Sequence, residues 1–73
     1  MADFKEYTAE QASSDLKRMA DICKEKAISI GLFDISAAVL DTIHREGGFG
    51  NLIDYYGGSV VQIAKDVLFI IND

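Results

Sequence analysis

Seventy-three residues allow one domain with a modest core, and a chain this short is normally reinforced by a disulfide, a metal, tight helix packing or a partner subunit. Cys23 is the only cysteine, which excludes an internal disulfide, and with His44 it makes two soft ligands where structural zinc normally takes four. A formal charge of −5, from 7 basic and 12 acidic residues, disfavours direct binding to nucleic acid or to an anionic membrane surface.

The charge is uneven. Residues 1–33 hold Lys5, Lys17, Arg18, Lys24 and Lys26 against six acids, whereas residues 34–73 hold only Arg45 and Lys65 against another six. A basic protein partner is the natural complement of the second half. An apolar content of 49% argues for a folded chain. The single thiol and the lack of an apolar leader in Met1–Glu10 fit a reducing, cytoplasmic setting.

The first helix is predicted over about residues 8–30. Thr8 and Gln11 have the spacing of a capping box. Ala9, Ala12, Leu16, Met19, Cys23, Ala27 and Ile30 then recur every three or four residues, which places them on one stripe. Gly31 is the expected stop, and Leu32-Phe33 form a connection short enough to make the next helix an antiparallel neighbour.

A second helix is predicted over 35–46, capped by Asp34 or Ser36. Its stripe is Ile35, Val39 and Ile43, flanked by Ala38 and Leu40, and Gly47-Gly48 end it. A short third helix over 51–56 lies between two glycine pairs. The last segment, 59–72, has Ser59 as its cap, and nine of the twelve residues Val60 to Ile71 are apolar. Only Gln62, Lys65 and Asp66 interrupt them. Its β-branched content leaves two buried strands as an alternative, but no turn signal at Ala64-Lys65-Asp66 supports a break. At twelve residues the apolar run is too short to span a bilayer.

These elements predict an all-α chain, a small three-to-four-helix bundle. The last helix would be central or would form a homodimer or higher-oligomer interface through Val60, Val61, Ile63, Val67, Ile70 and Ile71.

Catalytic chemistry is not expected. Cys23 sits on the apolar stripe and reads as a small core residue. His44 lies beside Arg45 near a helix C-terminus, where positive charge suits the helix dipole. Gly47-Gly48-Phe49-Gly50-Asn51 lacks the lysine and hydroxyl of a phosphate loop and reads as a hinge. Scattered pairs such as Asp54 with Asp66, or Asp41 with Glu46, read as a solvated face. The aromatic residues Phe49, Tyr55 and Tyr56, with Asp54 beside them, are the candidate partner-binding site, because consecutive tyrosines cannot both face inward on one helical turn. Capping of the core by both rings is the equal alternative.

The outline also resembles that of acyl carrier proteins, which are acidic helical domains of similar size with a modified serine at the start of the second helix. Asp34-Ile35-Ser36 stands at the corresponding place. It departs from the carrier motif, Asp-Ser-Leu, because Ile35 separates aspartate from serine, and the long loop between the first two helices is missing. The resemblance implies a carrier or small-ligand-binding role using Ser36. The residues themselves favour a non-catalytic acidic module that acts as inhibitor or adaptor of a protein partner, including one with a basic nucleic-acid-binding surface. No cofactor and no metal are expected.

Overall fold

Thr8 opens the first helix by exchanging two hydrogen bonds with Gln11. The Gln11 N–H donates to Thr8 Oγ1 at 3.1 Å, and the Thr8 N–H donates to Gln11 Oε1 at 2.8 Å. Two of the donors left free in a first turn are thereby satisfied. The helix that follows, α1, runs Ala9–Ile30 in a computed structural model that describes residues 6–30 and 34–72. Its buried side is Ala12, Leu16, Met19, Ala20 and Cys23. Ala20 widens the expected stripe, Ala9 is exposed and Ala27 is half-buried. The expected stop at Gly31 and the Leu32-Phe33 connection lie outside the described residues.

Asp34 caps α2 (Ile35–Glu46): its backbone is extended and its Oδ1 accepts the Ser36 N–H at 3.0 Å. Of the two candidate caps, Asp34 takes the role, and Ser36 is the second residue of the helix. The buried side is Ala38, Val39 and Thr42, with Ile35 and Ile43 half-buried. Thr42 is a buried polar residue that periodicity missed. Its hydroxyl donates to the Ala38 carbonyl at 2.8 Å and stands 3.6 Å from Cys23 Sγ, so no buried hydroxyl is left unpaired among the described residues.

Gly47, at φ +70°, ends α2, and the chain folds back through Gly48 and Phe49 into α3 (Gly50–Tyr55). That helix closes with a pair of hydrogen bonds of its own: the Gly58 N–H donates to the Ile53 carbonyl at 2.8 Å and the Gly57 N–H to the Asp54 carbonyl at 2.9 Å. The motif needs a left-handed residue, and Gly57 supplies it at φ +63°. Ser59 then caps α4 (Val60–Asn72), its Oγ accepting the Gln62 N–H at 3.2 Å.

Segment 60–72 is therefore one helix and not two strands. Among the described residues the chain is all-α, with four helices and no strand. Helices α1, α2 and α4 pack against one another, and α3 packs against α1. Side chains from all four helices, together with Phe49 from the loop before α3, form one apolar core.

One expectation about α4 is corrected here. Ile63 and Val67, expected at an interface between copies, are fully buried in the chain's own core and cannot meet a second copy without opening the fold. Val60, Ile70 and Ile71 are half-buried against the same core. Val61, expected at the same interface, is 64% exposed, and Leu68 and Phe69, which were not expected there, are exposed by 42% and 76%. The reason is geometric: α1 and α2 cover only part of the circumference of α4, and these three side chains project outside it.

Candidate functional site

Three tyrosines meet on one side of the molecule. Tyr7, just before the Thr8 cap, sets its ring edgewise against Tyr55, with centroids 5.7 Å apart and planes at 69°. Tyr56 meets Tyr55 in the same manner, at 5.9 Å and 64°. Such edge contacts suit the charge distribution of aromatic rings. Tyr55 is thus held by two rings and still leaves half its surface, 51%, open.

The two flanking rings are fixed by carboxylates. The Tyr7 hydroxyl donates to Asp15 Oδ2 and the Tyr56 hydroxyl to Asp66 Oδ2, each at 2.5 Å. Burial, reinforced by the acceptor carboxylate, pushes the Tyr56 hydroxyl up to about 12 and raises that of Tyr7 as well. Both phenols are therefore protonated donors at neutral pH. Asp54, the residue before Tyr55, is exposed.

Arg18 ties this cluster to the hinge. Its Nη2 lies 3.8 Å from Asp15 Oδ1 and donates to the Gly48 carbonyl at 3.4 Å. Its guanidinium carbon stands 4.3 Å above the centre of the Phe49 ring. Phe49 is only 1% exposed beneath it. This corrects the reading of Phe49 as a partner-binding residue: the glycine hinge turns the ring into the core, where Arg18 covers it.

Of the residues expected at the site, the structure keeps Tyr55, Tyr56 and Asp54 together and removes Phe49. Tyr7, Asp15 and Asp66 join the cluster unannounced. Tyr7 precedes the first periodic stretch, and no local pattern ties it to a residue 48 positions on.

The other candidate positions carry less chemistry. Ser36 is exposed on the lip of a groove of about 380 Å3 between α2 and α4. A larger open groove of about 830 Å3 runs between α1 and α2. There Asp41 accepts from Lys26 Nζ and from Arg45 Nε, both at 2.9 Å, and these bonds, Lys26 foremost, hold its carboxyl below the usual range. Cys23 is fully buried, and burial pushes its thiol up, away from the reactive thiolate. His44 is exposed near the end of α2. Among the described residues no cluster of His, Cys, Asp or Glu is arranged to hold a metal ion, and no helix is long and apolar enough to cross a membrane. Compared with known proteins, the chain matches no family model, no curated protein and no solved structure.

Proposed function

We propose that this chain is a non-catalytic acidic protein-binding module, an inhibitor or adaptor that receives a basic surface of a protein partner on its tyrosine face. The observation that carries the reading is the state of Tyr55: half-exposed, yet braced by two rings whose hydroxyls are anchored to Asp15 and Asp66. An aromatic anchor that is already ordered loses little rotamer freedom on binding, which is what a hot spot requires. A guanidinium or ammonium group stacked on such a ring gains about 0.5–1 kcal/mol at an exposed site and about 2 when desolvated. Asp54 and the net charge of −5 add long-range attraction for the same group.

A partner with a basic nucleic-acid-binding surface fits this charge, and the module would act by covering that surface. Direct nucleic-acid binding is no part of the reading, since phosphates would meet the same carboxylates. The frame for the face is a small bundle in which α4 supplies one wall of the core. Support for that comes from its contacts with both α1 and α2 and from the complete burial of Ile63 and Val67.

The test is affinity capture from the native host with wild type and a Tyr55→Ala, Asp54→Asn double variant as baits, both checked for helicity by circular dichroism. A partner held by the wild type, released by moderate salt and lost by the folded variant is the expected result. Retention of the same partners by the variant would overturn the reading.

A further inference from the structure

The groove between α2 and α4 differs from the α1–α2 groove and the tyrosine face in one respect: it is apolar and locally neutral. Asp34 and Ile35 stand on one wall, Val61, Lys65 and Leu68 on the other, and the open groove between them has a volume of about 380 Å3. Val61 and Leu68 are seven residues apart, two turns on the same side of α4, and together they leave a strip of exposed aliphatic surface. The charged residues lining the groove are one acid, Asp34, and one base, Lys65. In the α1–α2 groove three acids, Glu25, Asp41 and Glu46, meet two bases. On the tyrosine face Asp15, Asp54 and Asp66 outnumber Arg18.

A chain of charge −5 repels its own copies, and it does so least where the local charge is zero. The same place is where removal of apolar surface from water is available to drive association. Asp34 and Lys65 on opposite walls are also self-complementary. In a two-fold pair, where each contact occurs twice, Lys65 of one copy faces Asp34 of the other and the reverse. A basic partner gains nothing here, because Lys65 occupies the wall and no excess acid offsets it.

We propose that the occupant of the α2–α4 groove is a second copy of this chain, in an isologous dimer that buries Val61 and Leu68 of both copies. The surface is separate from the tyrosine face, so each copy keeps its own Tyr55 exposed. It shares Val61 with the interface that composition suggested and replaces the buried Ile63 and Val67 of that reading with Leu68 and Lys65.

Sedimentation equilibrium over a micromolar-to-millimolar series tests this on wild type, Val61→Glu, Leu68→Glu, Lys65→Glu and Phe69→Glu, with helicity followed in parallel. The wild type is expected to pass from monomer to dimer. Val61→Glu and Leu68→Glu are each expected to weaken the dimer by roughly tenfold or more, since each loses a buried side chain twice and leaves two buried charges. Lys65→Glu should weaken it too, and less so at high salt. Phe69→Glu, exposed but outside the groove, should leave it unchanged. Val61 is exposed enough that its variant folds even if Leu68→Glu does not. A wild type that stays monomeric throughout, or a dimer indifferent to both Val61→Glu and Leu68→Glu, overturns the proposal. Tyr55→Ala, which tests the partner face, is expected to leave the dimer intact.

Discussion

Replacing Phe49 with alanine separates two roles that are incompatible for one ring: core residue and docking anchor. In the structure the ring is 1% exposed, packs with Met19, Leu52 and Ile63 in one core cluster and lies under the Arg18 guanidinium. Truncating a buried phenylalanine costs about 3–5 kcal/mol, the sum of lost transfer energy and the cavity left behind. Loss of the Arg18 contact adds about 0.5–1, because that side chain is half-exposed and its attraction is screened. A 73-residue chain has a total stability of roughly 4–11 kcal/mol. Phe49→Ala is therefore expected to remove about a third or more of the total stability. Urea unfolding followed by far-ultraviolet circular dichroism measures the change, provided that the slope of the transition is equal in both proteins. Phe49→Leu, which keeps most of the volume, should lose distinctly less. A loss below about 1 kcal/mol for Phe49→Ala would place the ring outside the core. It would also restore Phe49 to the list of surface anchors and remove the account of the hinge given above.

Two further outcomes follow from the caps and the tyrosines. Thr8→Ala breaks the exchange with Gln11 at the start of α1 and should lower stability by about 0.5–2 kcal/mol in the same assay; an unchanged midpoint would mean that the cap is not formed in solution. The Tyr56 hydroxyl, raised from 10.0 to about 12 by burial and its bond to Asp66, keeps its proton in the folded state after the unfolded chain would have lost it. The stabilisation it represents is thus complete below pH 10 and is lost as pH rises from there to about 12. Absorbance titration of the phenolates should show a late-ionising component that is reduced in Tyr56→Phe; identical titration curves would sink the assignment.

The starts of the first and last helices were legible because their signals are local. Thr8 with Gln11, and Ser59 before an apolar run, act through bonds spanning three residues, so spacing alone identifies them. Likewise the fate of Cys23 followed from its stripe. The side of α4 that would face the core was not legible. With nine of twelve residues apolar, several orientations bury similar area, and the choice of Ile63, Ala64 and Val67 over Val61 and Leu68 belongs to α1 and α2. Helix against strand was open in the same segment for the same reason, since continuous apolar runs satisfy both periods.

What the sequence determined by itself, then, is the caps that open the first and last helices, that the chain is acidic in its second half, and that it lacks the residues for a disulfide. These are properties of nearest neighbours and of composition. Tertiary structure alone decided the two surfaces. It turned Phe49 inward under Arg18 because Gly47 and Gly48 adopt positive φ and return the chain to α1. It brought Tyr7 and Asp66 to Tyr55 and Tyr56, and it buried Ile63 and Val67 while leaving Val61 and Leu68 exposed. Contacts between residues far apart in the chain depend on how the helices dock, and docking is set by the sum of all apolar burial, which no local pattern encodes.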